Sequence, residues 1–390
     1  MGRNKREILI FLFWLLVAVN ILWFGSRLID YKINGEETPG EVKIHSKAIE
    51  SIFYYEQLSD VNKESYEILK QGLMDRNSNI VLENCSEDEL QRIWYAVLMD
   101  CPEIFWVNSY RYSVQKGETV KCEVLPDYCY TKDEITERQT RIQEITEEFM
   151  TGMSKDESDY NKILYTYEYI IEQTEYDDES ENNQHIDSVF IGKSSVCAGY
   201  AKTTKFLLNQ LGVECIYVRG QAFGSSDEQE PHAWTIVKCE DDYYYVDTTW
   251  GDSIYQAEDN EESEKYSNIT YDYMCCNDEQ LFKTHTLDQL FEYPSCVKND
   301  LNYYVVNGRY FTEYDSEKIC ELIKKDIEEK KVYSEFKFAD SKVYEEAKED
   351  LFENQVKKGK DYFNEVNGKD GSRYYYKDIK ENNKIVIYWE

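Results

Sequence analysis

The chain has 390 residues, of which 77 are acidic and 44 basic, for a net charge of −33. That field repels nucleic acid, so no nucleic-acid partner is expected, while the length leaves room for two or three domains with real cores. The acid lies in short runs such as Asp177-Asp178-Glu179, without the alternating ligands and central glycine of a calcium loop; nor do the 11 cysteines contain a C-x-x-C pair, so neither metal nor cofactor is expected.

Arg3, Lys5 and Arg6 precede an apolar run from Ile8 to Phe24, interrupted by Asn20. Such a run rises about 25 Å as a helix, close to the thickness of a bilayer core. Trp23-Phe24-Gly25-Ser26 makes a poor cleavage site, so residues 1–30 read as an uncleaved signal-anchor with the remainder outside the cytoplasm. Residues 31–46, with Gly35, Pro39 and Gly40, read as a linker. From 47 to 130 the pattern gives an α+β accessory region: helices to Asp75, then one from Ser86 to Met99 opened by a Ser86/Glu89 capping box. Strands are expected at Phe105–Val107, Tyr110–Ser113 and Thr119–Leu125.

Lys132–Met150 and Tyr160–Thr174 are amphipathic helices expected to pack behind a further one, Ala198–Leu211, that Cys197 opens and Gly212 closes. Ala201, Thr204, Leu208 and Leu211 share a stripe with Cys197 and should face a core. A thiol at a helix N-terminus sits at the positive end of the macrodipole, which favours thiolate. His232–Lys238 and Tyr243–Thr248 read as a hairpin. Any two-residue reversal puts His232 and Asp247 on one face. A turn at Cys239-Glu240 sets them opposite each other, and one at Asp241-Asp242 offsets them; the register stays open.

These pieces resemble the transglutaminase-like superfamily in Ser195-Val196-Cys197-Ala198-Gly199-Tyr200-Ala201, His232-Ala233-Trp234 and Tyr245-Val246-Asp247-Thr248-Thr249-Trp250-Gly251-Asp252. The resemblance spans roughly Tyr160 to Leu287. It implies an α+β fold with a papain/transglutaminase-like core over residues 131–290: a helix bearing the cysteine against an antiparallel sheet bearing histidine and aspartate. It further implies Cys197 as nucleophile, His232 as base and Asp247 as the group that orients the histidine. Ala198 stands where bacterial relatives often carry Glu, Gln or Arg. Ile191 stands where papain-like enzymes place an oxyanion glutamine, which leaves Tyr176 and Gln184 as alternatives lining the cleft. Trp234 and Trp250 are expected to wall it. Segments ending like Pro102–Trp106 precede this domain in related bacterial proteins, and His285 matches a histidine of relatives with a structural role.

Residues 300–390 form a C-terminal α+β region. Asn307-Gly308 between Tyr303–Val306 and Arg309–Phe311 signals a hairpin; helices follow at Ser316–Lys330 and Lys342–Lys358, and a strand at Lys384–Trp389. The expected function is a cell-surface thiol enzyme, anchored by a single membrane pass, that acts on peptide or protein amides, cell-wall peptides among them. It would work through a thioester, with hydrolysis favoured over crosslinking. The alternative is an inactive adhesion or scaffold module that keeps the fold.

Overall fold

The computed structural model describes residues 49, 52–117, 119–154, 156–223, 229–252, 269–368 and 373–390. The expected anchor at Ile8–Phe24, the linker 31–46 and the acidic insert from Asp252 to Ser267, beyond Asp252 itself, lie outside the described residues. Among those described, no helix is long and apolar enough to cross a membrane.

The molecule is α+β. Helix α1 (Asp60–Met74) and strand β1 (Ile80–Glu83) lead to α2 (Glu87–Asp100), whose capping box between Ser86 and Glu89 is formed in both directions. Val107–Lys116 (β2) and Val120–Tyr128 (β3) complete an antiparallel sheet of order β1-β3-β2. The strand expected at Tyr110–Ser113 reaches back to Val107, with an irregularity between Val107 and Ser109, whereas Phe105 and Trp106, expected in a strand of their own, lie before it. Pro102, Ile104, Phe105 and Trp106 are buried, and Trp106 donates from Nε1 to the Leu73 carbonyl at 3.1 Å.

Two amphipathic helices follow, α3 (Lys132–Thr151) and α4 (Asp159–Gln173), each opened by a side-chain cap. Next comes α5, Cys197–Gln210, ended by Gly212 at φ 79°. The expected stripe on α5 is buried, but so is nearly every other position from Gly199 onward. This helix is central: α4 packs on one side and the second sheet on another.

That second sheet is antiparallel throughout and ordered β8-β4-β5-β6-β7, from β4 (Cys215–Phe223), β5 (Gln229–Cys239), β6 (Asp242–Val246), β7 (Met274–Cys276) and β8 (His285–Leu287). Cys239 pairs with Asp242, so the reversal is Glu240-Asp241, with Glu240 at φ 57°. The register lies between the two alternatives left open by sequence. Asp247 is offset by two residues from the position opposite His232.

The C-terminal region carries β9 (Tyr310–Phe311), α6 (Ser316–Glu328), β10 (Tyr333–Phe338), α7 (Ser341–Asp350), α8 (Val356–Asn367), β11 (Tyr374–Ile379) and β12 (Lys384–Trp389). Its sheet runs β9-β10-β12-β11, with β9 and β10 parallel. The expected Asn307-Gly308 hairpin does not form. Tyr303–Val306 is instead a helical turn, started by the Asn302 side chain accepting from the Tyr304 amide at 3.1 Å. Tertiary contacts override the local signal: Tyr304 is fully buried, and its hydroxyl meets Glu335 at 3.1 Å and the Lys384 ammonium at 3.2 Å. The expected single helix Lys342–Lys358 is two helices joined by a π-type turn, Leu351–Gln355. Asp272, between β6 and β7 in the chain, ties this region to the core through buried ion pairs with Lys337 and Lys384.

Candidate active site

Cys197 stands at the start of α5, and no side chain caps that end, since Val196 occupies the cap position. The approach to it is fixed by Ser195, whose Oγ donates to the Asn183 carbonyl at 2.7 Å and meets Ser188 Oγ at 2.7 Å. Gly199 makes this close packing possible, because a Cβ there would lie 2.0 Å from Ser195 Oγ. Eight of the eleven cysteines are buried; all eleven are free thiols, and of the three partly exposed ones, Cys129, Cys197 and Cys320, Cys197 lines the cleft.

His232 lies on β5, paired with Gly220 of β4. Its Nε2 meets Asp247 Oδ2 at 2.7 Å, and the Cys197 side chain lies close enough to the imidazole to favour its charged form. With Nε2 committed to the carboxylate, Nδ1 is the nitrogen left for the thiol. Asp247 is fully buried and ends the sheet by turning into the helical turn Thr248–Gly251. Its Oδ1 accepts from the amides of Thr249 (2.9 Å) and Trp250 (3.0 Å). Oδ2 meets not only His232 but also His285 Nε2, at 3.2 Å. One carboxylate thus serves as a helix cap and as the anchor of two imidazoles, which fills its acceptor sites.

Burial works against charge at both His232 and Asp247, yet their mutual attraction and hydrogen bond prevail. The imidazolium is held well above its ordinary range, to about 10, and the carboxylate well below its own, helped by His285. His285 goes the other way: burial lowers its pKa. As a neutral ring it donates from Nε2 to Asp247, while Nδ1 meets the Thr284 hydroxyl at 2.8 Å. His232, Asp247 and His285 are the group of three among the described residues whose ligand atoms have metal-like spacing, within 4.8 Å of one another. Both Nε2 atoms are already turned onto the carboxylate.

The structure therefore brings Cys197, His232 and Asp247 together. Tyr176 and Gln184 also line the cleft, which encloses about 930 Å³ between α2 and β2 on one side and the starts of α5 and β5 on the other. Tyr176 is held beside Cys197 by parallel pairing of Glu175–Tyr176 with Ser194–Ser195. Trp234 and Trp250 differ from expectation. They pack against the His232 ring, with centroids 5.8 and 6.1 Å away, but the cleft surface is made by other residues. Their effect is to keep the ion pair dry from behind, which strengthens it. The contact of His285 with Asp247 was missed by sequence reasoning. Its signal is weak in one dimension, since β8 reaches β4 from across the sheet, pairing His285 with Ala222. Gly220 allows that approach: a Cβ there would lie 1.9 Å from the Thr286 carbonyl oxygen.

Residues 144–248 match the family model described as the transglutaminase-like superfamily. No curated protein matches the chain. Among solved structures, a TGase is 17% identical with a TM-score of 0.27, over 41% of this chain and 49% of that one. A candidate cysteine protease from Cytophaga hutchinsonii is 16% identical with a TM-score of 0.25, over 36% and 62%. A candidate protease from Parabacteroides distasonis is 8% identical with a TM-score of 0.22, over 36% of each chain. The chain spans less than two thirds of the length of each. Over residues 144–248, then, the chain is similar to the transglutaminase-like superfamily, and Cys197, His232 and Asp247 all fall within that stretch.

Proposed function

We propose that the protein is a thiol hydrolase of peptide or protein amides. The observation that carries this reading is the contact chain from the Cys197 thiol through His232 to Asp247 at an open cleft. In this reading Asp247 accepts from Nε2–H and stabilises the imidazolium, so Nδ1 has already taken the thiol proton when the sulfur attacks an amide carbonyl. The same nitrogen then protonates the departing amine, leaving a thioester. Water, deprotonated by His232, attacks the thioester and releases the acid and the thiol.

Water is favoured over an amine as acceptor because of charge. Lys202 and Arg219 line the cleft, and an incoming lysine ammonium would face both. The protein is further proposed to be held at the membrane by Ile8–Phe24 with its body outside the cytoplasm, as the basic residues before that run suggest. Protease added to intact cells should then digest the body and leave a membrane-bound stub; a protected full-length chain refutes the placement.

Iodoacetamide labelling at neutral pH tests the chemistry. Cys197 should react well before the other ten thiols, and His232→Ala should remove that advantage. Labelling of Cys197 no faster than of the exposed-edge thiols, with His232 intact, favours the scaffold module without turnover.

A further inference from the structure

The surroundings of Cys197 have an electrostatic character opposite to that of the molecule. In a chain with 77 acidic residues, no aspartate or glutamate among the described residues lines the cleft, while Lys202 and Arg219 both do. Lys202 lies on α5 beyond Cys197, and Arg219 on β4 beside Gly220. Both are half-buried, and among the described residues neither is in a salt bridge. The Lys202 ammonium donates to the Gln184 carbonyl at 2.9 Å, leaving two N–H groups uncommitted by any bond to a carboxylate. The Arg219 guanidinium lies over the Tyr95 ring, 4.3 Å from its centroid.

The carboxylates whose charge reaches these cations hold other partners and are not in a salt bridge with them. Asp187 Oδ2 accepts from Arg138 (2.9 Å) and from the Tyr130 hydroxyl (2.8 Å), while its Oδ1 is buried without a hydrogen bond among the described residues. Asp288 accepts from the Leu290 amide and the Tyr293 hydroxyl, each at 3.2 Å. Burial and the like charge of Arg219 pull the Lys202 pKa down to about 8, against the attraction of Asp187 and Cys197. The remaining imidazole of the cleft, His185, adds no charge: its Nε2 meets Asn108 Oδ1 at 2.9 Å, and burial followed by Lys202 lowers its pKa to about 3. Two cations are thus held near each other at a partly dry surface, and neither is in a salt bridge with a carboxylate among the described residues. Such a pair is costly unless a counter-charge arrives, and a forked guanidinium with an ammonium is suited to a carboxylate.

We propose that Lys202 and Arg219 form a carboxylate-binding subsite beside Cys197, so that the preferred substrates are peptides carrying an acidic group near the amide that is cut. This rests on the hydrolase reading for its catalytic part, but binding tests it independently. The probes are fluorescein-labelled alanine hexapeptides, amidated at the C-terminus, with one glutamate walked through each position, against glutamine at the same position. A third arm is the all-alanine peptide with a free C-terminal carboxylate, which separates a side-chain source from a terminal one.

Binding is measured by anisotropy on the Cys197→Ala protein. At one position, or at the free terminus, the acidic probe should bind at least about tenfold tighter than its neutral counterpart, as a charge-assisted hydrogen bond allows. Lys202→Gln with Arg219→Gln should bring the ratio to near one, Lys202→Arg should keep it, and salt should weaken it. Equal binding of every acidic and neutral pair overturns the proposal with no variant needed. A preference that survives in the double variant overturns it as well. If Lys202→Gln slows iodoacetamide labelling of Cys197 but leaves peptide preference intact, the cations serve the thiolate and the subsite is refuted. Acidic peptides that bind selectively yet are never cut by the wild type would sink the hydrolase reading and leave the subsite standing.

Discussion

Asp247→Asn isolates the charge at the centre of the site, because asparagine can keep the cap and lose the ion pair. Its side-chain oxygen can still accept from the amides of Thr249 and Trp250, now 2.9 and 3.0 Å from Oδ1. Its amide nitrogen would then face Nε2 of both His232 and His285, where Oδ2 now accepts. His232 must therefore turn Nε2 into an acceptor and carry its proton on Nδ1, toward Cys197. The base would be in the wrong tautomer, and hydrolysis should fall by about 10²–10⁴-fold, the usual worth of positioned acid–base catalysis. Stability should fall by about 2–4 kcal/mol, less than for a bare buried charge because the cap survives. That corresponds to a drop on the order of 10 °C in Tm.

The loss should depend on pH. His232 is raised in the fold from about 6.5 to about 10, so its contribution is complete below pH ~6.5 and is lost as pH climbs through the folded value. Asp247 is depressed, so its contribution is present above pH ~4 and is lost as pH falls through its folded value. The Tm gap between wild type and Asp247→Asn should therefore be widest near pH 6 and should shrink by pH 10, in paired thermal melts. A gap that is absent at pH 6, or that widens toward pH 10, refutes the ion pair.

Other perturbations bear on separate links. Cys197→Ala should abolish hydrolysis while costing about 1 kcal/mol or less in melts, since the thiol is only partly buried at the cleft; residual wild-type activity on any amide sinks the nucleophile. Gly220→Ala should force β8 away from β4, lowering stability by about 1–3 kcal/mol and slowing Cys197 labelling, because its Cβ would meet the Thr286 carbonyl at 1.9 Å and Trp234 at 2.7 Å. Unchanged melting and labelling would show that the sheet absorbs the methyl group. Asp272→Ala leaves Lys337 and Lys384 buried without their counter-charge, for about 3–5 kcal/mol. Limited proteolysis should then release the region after residue 300 sooner than in the wild type, and equal digestion rates would argue against this tether.

The sequence by itself determined the parts of this protein that depend on nearby residues. The capping box of Ser86 and Glu89, the bounds of the helices over residues 132–173, the glycine closing the Cys197 helix and the shared face of His232 and Asp247 are all consequences of short-range periodicity and capping chemistry. What only the tertiary structure decided involves partners far apart in the chain. The turn at Glu240-Asp241 was decided among near-equivalent registers by the packing of both strands. His285 reaches Asp247 across 38 residues because β8 adds to the far edge of the sheet, and no local pattern encodes that neighbour. Tyr303–Val306 became helical against its strand-like composition because Tyr304 is buried against Glu335 and Lys384. The charge of the cleft follows the same rule. Composition foretells an acidic molecule, and only folding leaves Lys202 and Arg219 as the charged side chains, other than histidine, among the described residues of the lining, since the sign of a local field depends on which side chains converge.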